Sequence, residues 1–201
     1  GVGYKATQAV INSANLDKSL MRVAQTAGVG VKEANSLRRA LFDMARQTGQ
    51  PVETLLAGFE ALIASGMDWK QAMGTIQAIN PALAVSGASA EQLASAMSVA
   101  GEIFKFDLSD LNTAKLLLDQ MLVAGRLGNA ELKDLAGIFA RVGGNAKNAG
   151  LSFAETLAFI EQLSLIEREP ERLATLADST LRIFTNQKYL DKTAKVVGVN
   201  F

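Results

Sequence analysis

The sequence predicts an all-α fold, and three observations support this. Apolar residues recur every three or four positions almost from end to end, as they do along one face of a helix. Sustained alternation of apolar and polar residues, which is typical of strands, does not occur. Ala and Leu are abundant, whereas aromatic residues make up 6% of the chain, which favours helices over sheets. We expect a compact array of about eight to ten short helices, joined by tight Gly-containing loops into antiparallel helical hairpins.

Apolar stripes at helical spacing predict the individual helices in chain order. In sequence they are Leu16, Leu20, Val23 and Ala27; Leu37, Leu41 and Met44; Leu55, Phe59 and Leu62; Trp69, Met73, Ile76 and Ile79; Leu93, Met97, Ala100 and Ile103; Leu111, Ala114, Leu118 and Met121; Leu132, Leu135, Phe139 and Val142; Phe153, Leu157, Ile160 and Leu163; and Leu173, Leu176, Leu181 and Phe184.

Residues typical of helix ends stand between the stripes. Ser or Asp side chains can accept hydrogen bonds from the first free backbone N–H groups, and proline fits the first turn of a helix. Pro81, by contrast, interrupts a stripe, so we expect a kink or a helix end near Asn80. The predicted starts are the capping boxes Ser89 with Gln92 and Ser152 with Glu155, the caps Asp68, Ser109 and Asn129, and the prolines Pro51 and Pro170.

A weak internal repeat accompanies these helix ends. A small residue followed by Gly precedes a helix start at Gly28, Gly49, Gly66, Gly87 and Gly150. The first three intervals between these glycines are similar in length, and the last is much longer. A unit of about 20 residues is one helix of roughly four turns plus a short loop. The alternative is that these glycines only reflect the usual way in which helices end.

Composition excludes several classes of function. The chain has no Cys and no His, which removes disulfides, thiolate nucleophiles, the usual general base and the commonest metal ligands. Its 20 basic and 20 acidic residues balance, whereas nucleic-acid binders usually carry a positive excess. We predict no catalytic, cofactor-binding or metal-binding residue, no cofactor and no specific nucleic-acid binding. Zero net charge favours association with copies or partners.

Segments that could carry chemistry have simpler structural interpretations. The Gly-rich stretches 28–30 and 143–147 lack the pattern of a phosphate-binding loop and are predicted to be ordinary loops. Glu167 and Glu169 could serve as paired carboxylates of a glycoside hydrolase, but they stand in a charged run that is typical of a solvated surface. Adjacent Arg38 and Arg39 project in different directions on a helix and form no phosphate-binding cluster.

Aromatic residues are expected to stabilise helix contacts. Phe104 and Phe106 flank Lys105, a pattern that could stack bases, although core packing at a helix end is the favoured interpretation. Trp69, the single Trp, is expected to anchor neighbouring helices, with a partner contact as the alternative. The methionines are expected mainly in the core.

We divide the chain into three parts. Residues 1–30 form an N-terminal lead-in helix, 31–186 a helical core domain, and 187–201 a loosely packed C-terminal extension. The first residue is Gly rather than Met, so we interpret the chain as an excerpt of a longer protein. No apolar run is long enough to span a membrane.

The order of these elements resembles the TP901-type phage tail tape-measure protein family. The first similar segment runs from Leu37 to Asp68 and contains LRRAL, ARQTGQ, ETLLAGF and LIASGMD. The second contains ELKDLA, VGGNA and AGLSFAET between Glu131 and Thr156, then TLRIF from Thr180, and AKVVGVNF from Ala194 to the end. Together they cover about residues 30–201. The charged run 167–172 departs from the family, which commonly has a Gly-rich segment there.

The resemblance implies a structural function without catalytic residues. Such proteins act in tail assembly, set tail length and leave the tail ahead of the DNA. The implied partners are further copies of the chain, tail tube and tail tip or baseplate proteins, and tail assembly chaperones. The implied location is the lumen of the virion tail, after assembly in the host bacterial cytoplasm. Two alternatives stay open: an unrelated hairpin-repeat adaptor or scaffold, and a wall hydrolase using Glu167 and Glu169.

Overall fold

The computed structural model describes residues 2–128, 130–186, 191 and 196, with side chains from residue 13 onward. Within these residues the chain is all-helical, which confirms the predicted fold class and number of helices. The helices are α1 (Val2–Thr26), α2 (Val31–Thr48), α3 (Val52–Ala64), α4 (Trp69–Ser86), α5 (Ala90–Phe104), α6 (Leu111–Leu127), α7 (Leu132–Asn148), α8 (Phe153–Ser164) and α9 (Pro170–Thr185).

The helices begin at a regular spacing. The first residues of α4 to α8 are evenly spaced along the chain, and the same interval separates the start of α2 from that of α3. The steps from α3 to α4 and from α8 to α9 are slightly shorter and equal to each other. The five glycines of the predicted repeat all have left-handed backbone angles, with φ between 64° and 98°. These glycines therefore end helices, and regularly spaced helices fill the long interval between Gly87 and Gly150.

The helices pack as two layers. One layer contains α1, α3, α5, α7 and α9, and the other contains α2, α4, α6 and α8. Consecutive helices touch, as expected of hairpins, but the most extensive contacts join alternate helices within the first layer, above all α5 with α7 and α3 with α5. Each helix pair thus stacks on the next, as in an α-solenoid.

Small residues allow the close approach in the first layer. A Cβ on Gly58 of α3 would lie 2.6 Å from the Cβ of Ala90 on α5. A Cβ on Gly143 of α7 would lie 2.6 Å from Cγ1 of Val99 on α5. Neither position has room for a side chain, so glycine sets the helix spacing in this layer.

Most predicted caps are confirmed. Asp68, Ser89 and Ser152 each accept a hydrogen bond from the third residue of their helix and form complete capping boxes. Pro51 precedes α3, and Pro170 is the first residue of α9. Ser109 is a wrong prediction: Asp110 caps α6, while Ser109 donates its hydroxyl to Asp107. Asn129 and residues 187–190, 192–195 and 197–201 lie outside the described residues.

Of the kink or helix end expected near Asn80, the helix end does not occur, because α4 continues through Pro81 to Ser86. Asn80 is buried, and its side-chain amide donates to the backbone carbonyl of Met44, 3.2 Å away on α2. Its side-chain oxygen accepts a 2.8 Å hydrogen bond from the Thr48 hydroxyl. These tertiary bonds hold the middle of α4 where proline removes one hydrogen bond of the helix.

The core runs through both layers and contains most of the predicted stripes. Leu37, Phe59, Ile76, Met97 and Phe139 are fully buried. The last stripe is partly wrong, because Leu176 and Phe184 of α9 are exposed, whereas Leu173 and Leu181 are buried. Leu176 and Phe184 are therefore apolar residues of α9 that lie outside the core.

Candidate functional site

The paired glutamates have structural roles at the start of α9. The Glu169 carboxylate accepts hydrogen bonds from the backbone N–H groups of Glu171 and Arg172, at 3.3 and 2.8 Å, and so caps the helix. Glu167 in turn accepts from the N–H of Glu169 at 3.0 Å. The Glu169 side chain is exposed rather than held in an apolar pocket, which does not favour paired-carboxylate chemistry.

The two Gly-rich stretches differ in structure. Residues 28–30 form the expected loop, in which Gly28 ends one helical segment and Gly30 precedes α2. Residues 143–147 are not a loop, contrary to the prediction, because they lie within α7. A tertiary contact explains the glycine at position 143, because a Cβ there would lie 2.6 Å from Cγ1 of Val99 on α5.

The arginine pair and the aromatic residues act in packing. Arg38 forms a 2.9 Å ion pair with Asp17 and therefore ties α2 to α1. The rings of Phe104 and Phe106 both pack on Phe153, with centroids 6.0 and 5.5 Å away, which supports core packing rather than base stacking. Trp69 lies edge-on to Phe59 at 4.9 Å, as expected of an anchor between helices.

The feature best suited to binding is an apolar groove between α6 and α8, in the second layer. The groove has a volume of about 310 Å³. Ala124 and Leu157 are buried in its floor, and Val123 and Leu127 rise from α6 with 52% and 65% of their surfaces exposed. On α8 the wall is low, because the facing residues include alanines. The full lining is Asp119, Gln120, Val123, Ala124, Leu127, Ala154, Leu157, Ala158 and Glu161.

Carboxylates stand at both ends of this α6–α8 groove. Asp119 lies two helical turns before Leu127 on α6, whereas Glu161 lies near the other end, where its Cγ would be 3.2 Å from a Cβ on Gly128. None of the described residues that line the groove is basic. Among the described residues neither carboxylate forms an ion pair. The groove therefore has an apolar centre and negatively charged ends.

A second groove adjoins the first on the other side of α6. It lies between α4 and α6, where Pro81, Val85, Leu118 and Leu122 are among the lining residues. Val85 has 75% of its surface exposed. The second layer thus presents apolar surface across α4, α6 and α8.

The described charged groups with shifted pKa values lie at helix starts or in the loop before α6 rather than in the grooves. Hydrogen bonds from Ser109 lower the pKa of Asp107, and hydrogen bonds from Thr113 and Asn112 lower that of Asp110. The backbone N–H of Ser152 lowers the pKa of Glu155, which is the return bond of a capping box. Burial raises the pKa of Asp134. These shifts follow from capping and burial, and none marks a catalytic acid or base.

The described residues contain neither a candidate metal cluster nor a candidate membrane span. Within the described ranges, no three Asp or Glu side chains come together in a way that could hold a metal ion. None of the helices described is long and apolar enough to cross a bilayer.

Sequence reasoning missed both grooves. The signal was present, because α6 carries two apolar stripes: a core stripe that includes Leu118 and Met121, and another that includes Leu116, Val123 and Leu127. A helix that is apolar on two faces must pack on two sides or leave one side open to a partner.

Comparison with known proteins gives one family. The model of a family described as phage-related minor tail protein matches residues 38–201. The match confirms the expectation of a phage tail protein, and it is broader than the tape-measure family that the motifs resemble. No curated protein matches the chain significantly. Likewise, no solved structure gives a significant match.

Proposed function

The chain belongs to the phage-related minor tail protein family, and from this premise we propose that it is a structural segment of a tail tape-measure protein. In this proposal it acts through protein contacts in tail assembly and in setting tail length, and it takes part in genome ejection. The family match over residues 38–201 carries the proposal. The ordered motifs from Leu37 to Phe201 add the narrower tape-measure assignment.

The packing supports a structural function. Tertiary contacts hold the helices in two layers. The second layer leaves apolar grooves on both sides of α6, one towards α8 and one towards α4. Exposed apolar patches with charged edges are typical of protein-binding surfaces. We propose that residues 31–186 form the core domain, that 1–30 form a lead-in helix whose α1 packs on α2 and α3, and that 187–201 form a C-terminal extension. The proposed location is the tail lumen, after assembly in the host cytoplasm.

Tail length in a phage or prophage that encodes this chain tests the proposal. In-frame deletions in helical sequence flanking the module should shorten the tail by about 1.5 Å for each residue removed, the rise of a helix. Electron microscopy of purified tails measures the length. Tails of unchanged length after deletions of different sizes would refute the tape-measure assignment and leave family membership intact.

The alternative is a hairpin-repeat adaptor, and the α6–α8 groove favours it, because such modules bind partners along a stack of helices. The two functions differ in their genetics. An adaptor should be required for attachment of one tail component, so its loss gives tails of normal length that lack that component. Loss of a tape-measure protein should instead abolish tails or leave their length uncontrolled.

A further inference from the structure

We propose that the α6–α8 groove binds one amphipathic helix of a partner protein, which presents apolar side chains flanked by basic residues. The proposal concerns the chemistry of this surface and does not depend on the tape-measure assignment. It starts from the composition of the groove, whose lining is apolar in the middle and acidic at the ends.

The length of the groove limits the occupant. Asp119 and Leu127 are eight residues apart on α6, which corresponds to about 12 Å along the helix. A partner helix of two to three turns covers that distance. It would place two apolar side chains, four residues apart, between Val123 and Leu127 on one wall and α8 on the other.

The shape of the walls favours a helix. Ala154 and Ala158 keep the α8 side low, so that the backbone of an incoming helix can come close to α8. Val123 and Leu127 form the higher side, with more than half of their surfaces open to solvent. Covering them removes apolar area from water, at roughly 25 cal/mol per Å².

The charges favour basic residues in the partner. Asp119 and Glu161 lack ion-pair partners within the described chain, and α8 carries two glutamates and no Lys or Arg. Lysines or arginines seven or eight positions apart on the partner would meet one carboxylate at each end. An acidic helix would instead meet two carboxylates of like charge, which opposes binding.

Two capped synthetic peptides test the proposal. Each is an 18-residue helical peptide with two leucines four positions apart; one has lysines bracketing the leucines, and the other has glutamates in their place. Fluorescence anisotropy measures the dissociation constant of each peptide for the 201-residue chain. We expect the lysine peptide to bind and the glutamate peptide to bind at least tenfold more weakly. Equal affinities would overturn the proposal.

Variants of the chain locate the binding. Val123→Asn should weaken binding of the lysine peptide about tenfold, whereas Val31→Asn, at a valine of similar exposure on α2, should leave it unchanged. Reversing both groove charges with Asp119→Lys and Glu161→Lys should shift the preference to the glutamate peptide. Reversal of Glu53 and Glu91, which do not line the groove, should not do so. Circular dichroism confirms that each variant is folded.

Other occupants would give different results. If a second copy of the chain filled the groove, sedimentation would show self-association that Val123→Asn weakens, and peptide would compete with it. If residues 187–201 filled the groove, ending the chain at Asn186 would strengthen peptide binding. Either result would refute a separate partner helix, as would a Val123→Asn variant that binds the lysine peptide as the unaltered chain does.

Discussion

Two neighbouring glycines in α7 should respond in opposite ways to the same substitution. Gly143 and Gly144 both lie within the helix, where alanine has a higher helix propensity than glycine by about 1 kcal/mol. A Cβ on Gly144 would meet nothing within 4 Å. A Cβ on Gly143 would lie 2.6 Å from Cγ1 of Val99, with Phe104 and Phe139 rings 3.6 and 3.7 Å away. Only Gly143 therefore lacks room for a methyl group.

The structure gives the sign and size of each change. Gly144→Ala should raise the free energy of unfolding by about 0.5–1 kcal/mol, because only the propensity term applies. Gly143→Ala gains the same term but forces α5 and α7 apart, and overpacking of this kind costs about 1–3 kcal/mol. The two variants should therefore differ by about 1–3 kcal/mol, which corresponds to several degrees in melting temperature for a chain of this size.

Urea denaturation followed by circular dichroism at 222 nm measures both variants against the unaltered chain. Val99→Ala provides the test of cause, since it removes the methyl group that a Cβ on Gly143 would strike. In the Val99→Ala variant, Gly143→Ala should lower the free energy of unfolding by roughly 1 kcal/mol less than it does in the unaltered chain. A Gly143→Ala variant as stable as Gly144→Ala would refute the view that glycine sets the α5–α7 spacing.

Three further predictions concern single side chains, each measured by urea unfolding. Hydrogen bonds from Ser152 hold the pKa of Glu155 below its ordinary value of 4.5, so they stabilise the fold above that pH and this stabilisation is lost as pH falls. Glu155→Gln should therefore reduce the decrease in the free energy of unfolding between neutral pH and acid. Burial raises the pKa of Asp134, so its ionised carboxylate destabilises the folded chain at pH 7. Asp134→Asn should therefore raise the free energy of unfolding at pH 7, and this gain should disappear in acid. Asn80→Ala should cost about 1–3 kcal/mol, because it removes the two buried hydrogen bonds that the Asn80 side chain forms with the Met44 carbonyl and the Thr48 hydroxyl.

Features that depend on neighbouring residues in the sequence were predictable. Asp68, Ser89 and Ser152 were identified as caps because a capping bond spans only three residues. The apolar period of 3.6 residues likewise located every described helix. The sequence does not distinguish Ser109 from Asp110 as the cap of α6, because both can cap and a shift of one residue does not change the local pattern.

Features that depend on contacts between distant helices were not predictable. The stripe that includes Val123 and Leu127 has the same spacing as the buried stripe of α6, and only the position of α8 shows that it borders a groove. The sequence predicts a loop at Gly143, because two adjacent glycines usually end a helix. In the structure Gly143 lies within α7, and only the position of Val99 on α5 shows that the glycine is needed for close helix packing.

The connection between α5 and α6 shows how the repeat is kept across a longer loop. α5 ends at Phe104 and α6 begins at Leu111, yet the start of α6 keeps the same interval as the helices on either side. The additional loop residues are not loose, because Leu108 is buried with 1% of its surface exposed. Its backbone oxygen would lie 2.5 Å from a Cβ on Gly74 of α4, and its side chain 2.9 Å from one on Gly101 of α5. Glycines on two helices therefore accommodate the loop, so the positions of the helix starts, rather than helix length, keep the two layers in register.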